Sequence, residues 1–155
     1  MDEEVFDKFP DVLIDQDNIR HFQGLLQRKL LINRCHQCGE WIYPHFPSCP
    51  KCWSVDVAPE EVSGKGKVYM FTFSYVGHKN SIVDGLDAPR RTCWAAIELV
   101  EREALRYLAP LAGCEESEIH IGMPVQLDWY FRNGTPLPQF RPVASDAAMD
   151  MEPRP

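Results

Sequence analysis

The sequence predicts a mainly β protein: a short helix, then a small metal-stapled ribbon, then a five-stranded barrel. Three observations carry this reading. Four cysteines stand in two CxxC pairs, Cys35-His36-Gln37-Cys38 and Cys49-Pro50-Lys51-Cys52, with ten residues between them. Beyond Gly64, β-type runs bounded by Gly, Pro and Asn-Gly signals follow one another almost to the end. Ahead of both regions, Ile19, Phe22, Leu25 and Leu26 recur at helical spacing.

The first 16 residues are acidic and carry Pro10, which suits irregular structure. A helix starts at Asp17, with Asp17 or Asn18 as its N-cap. Its apolar stripe rests either on the protein's own core or on a partner, because a ribbon this small offers little core of its own. Lys29 to Arg34 reads as a short strand that leads into the first CxxC pair.

Two CxxC knuckles at this separation aim four thiolates at one centre, where zinc closes a tetrahedron with bonds of about 2.3 Å. Gly39 follows the first knuckle, where a positive φ is often needed. Pro50 presets a turn dihedral in the second. The residues between the pairs are too few for a domain and suit a short hairpin, so the reading is a rubredoxin-like zinc ribbon. Cys35, Cys38, Cys49 and Cys52 are its ligands, and the zinc is structural. His36 and His45 flank a site that already has four sulfurs and read as bystanders. Disulfides are one alternative, but the acidic start Met1-Asp2-Glu3-Glu4 lacks the apolar core of a signal peptide. Reduced cytosolic thiols favour metal. Iron, which also accepts four thiolates, is the other alternative. Cys93 and Cys114 stand alone in apolar surroundings and read as core residues.

Gly64-Lys65-Gly66 reads as a turn. Lys67 to Val76 alternates, with Tyr69, Phe71, Phe73 and Tyr75 on one face and Val68, Met70 and Thr72 on the other. Two partly apolar faces suit a central, curved strand. Residues 77–91 form a loop. Thr92 to Glu101 is the second strand, with Cys93, Ala95, Ile97 and Leu99 on one face, and Ala104 to Leu111 the third. Gly113 to Ile121 is a short helical insert. Gly122-Met123-Pro124 launches a fourth strand with Val125, Leu127, Trp129 and Phe131 inward, Asn133-Gly134 turns it, and the last strand surrounds Phe140. Five strands with a helical insert between the third and fourth follow the OB-fold order; a sandwich or an SH3-like barrel would compete. The division is thus 1–34 tail and helix, 35–58 ribbon, 59–143 barrel and 144–155 loose tail.

With 155 residues, 45% of them apolar, the chain is long enough for a real core. No run reaches the roughly 20 apolar residues that cross a bilayer, so a cytoplasmic protein away from membranes is expected. A net charge of -7 is a poor match for a phosphate backbone. A single-stranded nucleic-acid-binding barrel would have to use Tyr69, Phe71 and Phe73 for stacking and Lys65, Lys67, Arg90 and Arg91 as a local patch.

The order of helix, ribbon and barrel resembles a known family. Within the barrel, Gly64-Lys65-Gly66-Lys67-Val68-Tyr69, Phe73-Ser74-Tyr75-Val76, Leu111-Ala112-Gly113-Cys114, Ile121-Gly122-Met123-Pro124-Val125 and Pro138-Gln139-Phe140-Arg141-Pro142 are similar to that family's strands. It is the acyl-CoA-associated OB-fold and zinc-ribbon family, long catalogued as a domain of unknown function. The resemblance covers about residues 17–143 and implies a role. Members are small companions of thiolase-superfamily enzymes, including acyltransferases, hydroxymethylglutaryl-CoA synthases and steroid side-chain aldolases. The partner carries the catalytic residues, and the companion shapes the acyl-CoA path. The resemblance implies no catalytic residue here. It implies a thiolase-like partner in a hetero-oligomer such as a heterotetramer, an acyl-CoA substrate for the complex, and side-chain cleavage of steroid or bile-acid thioesters. Companionship in other acyl-CoA metabolism is the alternative.

The loop residues His78, Lys79 and Asp84 read as ordinary polar residues. Trp41 and Tyr43 read as packed between ribbon and barrel. Phe22 and Leu26 of the helix and Phe46 and Trp53 of the ribbon are the candidate partner contacts, since aromatic residues are enriched in interfaces. Arg90 and Arg91 are candidate contacts for a CoA phosphate or a partner carboxylate.

Overall fold

A computed structural model describes residues 2–76 and 90–143. Two helices, α1 (Asp2–Lys8) and α2 (Ile19–Leu26), precede a three-stranded sheet of β1 (Leu31–Cys35), β2 (Trp41–Ile42) and β3 (Val57–Glu61) in the order β2-β1-β3. Five strands then close a barrel: β4 (Lys65–Val76), β5 (Arg90–Leu99), β6 (Arg106–Leu111), β7 (Pro124–Arg132) and β8 (Thr135–Pro142), ordered β4-β5-β6-β8-β7. A 3-10 turn at Glu116–Glu118 sits between β6 and β7, so the OB-fold order holds.

The N-terminal stretch departs from the irregular structure expected of it. Asp2, Glu3 and Glu4 fill the first turn of α1, where negative charge complements the helix dipole. Val5 and Phe9 are buried in the main core, and Phe9 packs on Phe22 of α2 at 5.0 Å between ring centroids. Phe22 and Leu26 are half-buried against that same core, so the helical stripe rests on its own protein. β3 escaped the strand reading because Val57-Ala58-Pro59-Glu60-Glu61 has little β propensity. It is an edge strand paired only with β1, where proline is tolerated.

Lys65 and Gly66 are not a turn but the start of β4, bonded to β7 on one side and β5 on the other. A Cβ at Gly66 would lie 2.5 Å from Ile97 Cγ2 and 2.7 Å from the Glu98 carbonyl oxygen, so only glycine lets the two strands approach. A β-bulge lies between Val68 and Met70. It turns Tyr69 and Met70 outward, leaves Val68 buried, and returns Phe71 and Phe73 to the core. Tyr69 therefore leaves the face that strict alternation gave it. Cys93, Ala95, Ile97 and Leu99 line the interior as expected, and Val125, Leu127 and Trp129 face the core from β7. Phe131 does not; it is 62% exposed, because the β7–β8 hairpin runs past the core to its turn at Asn133 (φ 50°) and Gly134 (φ 76°). Among the described residues no helix is long and apolar enough to cross a membrane.

Candidate metal centre

Each knuckle is one backbone device used twice. β1 delivers Cys35, whose N–H donates to the Glu40 carbonyl while the Gly39 N–H donates to the Cys35 carbonyl, both at 2.8 Å. In the second knuckle the Cys49 N–H donates to the Ser54 carbonyl at 2.8 Å and the Trp53 N–H to the Cys49 carbonyl at 2.9 Å. Gly39 has the positive φ (74°) that its position predicts. The turns point all four sulfurs inward.

The four Sγ atoms lie within 4.8 Å of one another, and the Cys35–Cys52 and Cys38–Cys49 pairs are each 3.6 Å apart. Tetrahedral Zn–S bonds of about 2.3 Å require edges of roughly 3.8 Å. A disulfide would bring two sulfurs to about 2.05 Å. All four cysteines are free thiols, so the bridged alternative is excluded by geometry. Desolvation pulls the Cys35 thiol upward, but the backbone N–H groups of Cys38 and Gln37 overcome it and bring it down to about 7. Cys49 moves downward in the same way through Cys52 and Lys51. Cys38 goes the other way, up to about 12, through desolvation and its sulfur neighbours. Four thiols this close do not all ionise without a cation among them, so the donor set suits a divalent metal. The four sulfurs of Cys35, Cys38, Cys49 and Cys52 are placed to hold a structural zinc. His36 stands beside it, 3.2 Å from an Asp56 carboxylate oxygen, and is not a member of the cage.

Two contacts clamp the ribbon to the barrel, and neither was foreseen from the sequence. Glu40, only 7% exposed, pairs with Lys51 of the second knuckle at 3.5 Å and with Arg102 of the β5–β6 turn. Beside α2, the His21 Nδ1–H donates to the Leu31 carbonyl at 2.8 Å, and the Tyr107 hydroxyl of β6 lies 3.4 Å from His21 Nε2. His45 stacks 4.8 Å from His21, and Tyr43 bridges His45 and Tyr107 at 5.4 and 5.3 Å. Tyr43 thus sits between ribbon and barrel as expected, while Trp41 packs on the main core under Arg34. Both ring nitrogens of His45 are buried without a hydrogen-bond partner. Burial, reinforced by His21 and opposed by Asp15, lowers His45 to about 4. Burial also lowers His21, against the bond to Leu31.

A pH dependence follows. Above the unfolded value of 6.5 both histidines are neutral in either state and the clamp is intact. As pH falls from 6.5 toward 4 the unfolded chain binds protons that the folded chain refuses, so stability drops. His45, partly screened by solvent, accounts for a loss on the order of 2 kcal/mol. Urea unfolding at pH 7.0 and 4.5 should show a smaller decrease for His45→Phe than for the parent. Equal decreases would remove His45 as the cause.

The remaining candidates are dispersed. Phe46 and Trp53 are 52% and 80% exposed on the ribbon. Arg91 is paired with Glu116 and lies 4.0 Å over the Phe73 ring, and Arg90 begins β5. Lys67 pairs with Glu98, Phe71 and Phe73 pack on the core, and Tyr69 faces outward beneath Arg106. The proposed loop 77–91 up to residue 89, its His78, Lys79 and Asp84, and the tail 144–155 lie outside the described residues.

Two family models match the chain: the ChsH2 rubredoxin-like zinc ribbon domain over residues 22–57 and the ChsH2 C-terminal OB-fold domain over residues 59–130. The chain is 36% identical over 135 residues to a probable enoyl-CoA hydratase alpha subunit of Thermomonospora curvata, covering 86% of this chain and 40% of that protein. It is 31% identical over 84 residues to the benzoylsuccinyl-CoA thiolase subunit BbsA of Thauera aromatica, covering 54% and 52%. It therefore spans about half or less of the length of these two relatives. Among solved structures, a chain of the Ltp2-ChsH2(DUF35) aldolase matches at 34% identity with a TM-score of 0.70, covering 86% of this chain and 99% of that one.

Proposed function

From the premise that the chain belongs to the ChsH2 zinc-ribbon and OB-fold family, also termed DUF35, we propose that it is a non-catalytic accessory subunit of a thiolase-superfamily enzyme acting on CoA thioesters. The specific reading is a partner of a side-chain-cleaving retro-aldolase of steroid or bile-acid degradation. It is needed for assembly of the enzyme and for closing its acyl-CoA channel. One observation carries this: the chain matches nearly the whole of a subunit from an aldolase complex, at an identity well above what fold alone requires. The relative named as a thiolase subunit supports the same class of partner. The centre supports it too, since a structural zinc site makes shape rather than chemistry. The exposed ribbon aromatics Phe46 and Trp53 are the contacts we assign to the partner; Phe22 and Leu26 are largely used by the core.

The affinity-tagged chain, recovered from its native cells, should bring down a thiolase-superfamily subunit. The pair should coelute from a sizing column at micromolar concentration. The complex, and neither component alone, should cleave a 3-hydroxyacyl-CoA into a carbonyl compound and a shorter acyl-CoA. Separate elution of the two chains would defeat the accessory-subunit reading.

A further inference from the structure

The repeated knuckle geometry exposes an anomaly. The residue after each CxxC pair occupies the left-handed region, with φ 74° at Gly39 and φ 62° at Trp53. Glycine takes that conformation at little cost; for a bulky residue it is a strained outlier, and such strain concentrates at functional positions. Nothing local explains the exchange, since a Cβ at Gly39 would meet only Arg34 Nη2, at 3.8 Å. The first knuckle thus uses the residue best suited to the backbone, and the second carries the largest side chain available. The indole does not recover that cost by burial at home, being 80% exposed, and Val55 two residues on is 82% exposed. The Trp53 N–H bond to the Cys49 carbonyl, 2.9 Å, closes the turn.

We infer that Trp53 is the anchor of the second knuckle, inserting its indole into an apolar pocket on the thiolase-superfamily subunit. This assignment rests on the accessory-subunit reading above. A tryptophan buries about 150–250 Å² and keeps one polar N–H, and such residues dominate interface energetics. We assign the receiving pocket to a different protein, from the character of the cleft that the described residues form. The cleft beside α2, about 860 Å³, is lined by polar and charged side chains including Asp2, Gln23, Lys29 and Glu61, a poor seat for an indole. An anionic lipid or nucleic-acid surface is disfavoured by the net charge of -7 and by Asp56 in the same segment.

The test compares the parent with Trp53→Gly and Leu108→Ser. Leu108 is a 60% exposed apolar residue on β6 of the barrel and serves as a control for simple loss of surface hydrophobicity. The probe is the thiolase-superfamily subunit that copurifies with the tagged chain, produced separately and titrated by calorimetry. Relief of strain should raise the melting midpoint of zinc-loaded Trp53→Gly by about 1–3 °C. The same variant should bind the probe about 30-fold or more weakly. Leu108→Ser should bind within about twofold of the parent. A lowered midpoint for Trp53→Gly would overturn the strain premise. A stabilised variant with unchanged affinity would overturn the anchor while leaving the accessory role standing, and so would dissociation by Leu108→Ser in its place. A concentration-dependent homodimer lost in Trp53→Gly would assign the indole to a second copy and overturn the inference. Failure of the parent to bind any thiolase-superfamily subunit would overturn this inference and the proposed function together.

Discussion

Serine at Cys49, or at Cys38, is expected to strip the ribbon of zinc, unfold it and abolish partner binding. Within the ribbon itself there is almost nothing else to hold it. Its buried cluster consists of Cys35, Ile42 and Cys49, with Cys52 and Val57 packed partly against them. Strand β2 is two residues long. So few apolar side chains do not offset the conformational entropy of ordering the loops around them. Zinc does: in zinc-finger peptides the apparent metal-binding free energy is about 10–16 kcal/mol, and it is folding free energy. A serine hydroxyl stays protonated at neutral pH and does not replace a thiolate. Elemental analysis should find one zinc per chain in the parent and none in either variant. Hydrogen exchange should accelerate across residues 35–56 while the barrel strands stay protected, because Leu30, Ile32 and Val62 belong to the barrel's core cluster. Normal partner binding by either variant after loss of its zinc would show that the ribbon is not the docking element. A red oxidised preparation would replace zinc with iron.

The features legible in the sequence were those encoded over a few neighbouring residues. A CxxC pair needs four positions, the outward–inward alternation of β5 needs about eight, and the Asn133-Gly134 turn needs two; each matches the structure. What stayed hidden depends on residues far apart in the chain. The bulge at Tyr69 changes which face every earlier residue of β4 presents, and only pairing with β5 reveals it. β3 is a strand because β1 offers it an edge, not because Val57-Ala58-Pro59 favours extension. Glu40 looks like any hairpin glutamate until Arg102, sixty-two residues later, folds onto it. His45 stood near the metal in sequence but belongs to the clamp with His21 and Tyr107. The strain at Trp53 was likewise beyond reach, although the parallel with Gly39 was available from the spacing alone. Local chemistry marks the metal centre; the surfaces that join its carrier to other bodies are long-range products of the fold.

Phe140→Ala should be the most damaging substitution in the barrel. The strands are ordered β4-β5-β6-β8-β7, so β8 must join β6 to β7. Phe140 sits at that junction, paired with Leu111 of β6 in parallel and with Leu127 of β7 antiparallel. Its carbonyl also accepts the Ala112 N–H at 2.9 Å. The side chain is fully buried and is the largest of those so enclosed. Truncation removes its transfer free energy and leaves a cavity that a closed barrel does not collapse to fill; such changes cost about 3–5 kcal/mol. Set against a total stability of about 5–15 kcal/mol, this lowers the melting midpoint by roughly 6–20 °C. Phe140→Leu keeps most of the volume and should cost about half as much or less. Zinc content distinguishes this damage from that of the cysteine variants: Phe140→Ala chains that remain folded should still carry one zinc. Calorimetry with elemental analysis reads both quantities. Parent-like melting for Phe140→Ala would mean that the β6–β8 contact does not close the barrel. Loss of zinc at a temperature where the barrel strands remain protected would mean that ribbon and barrel depend on each other far more than one buried Glu40 and a histidine–tyrosine stack allow.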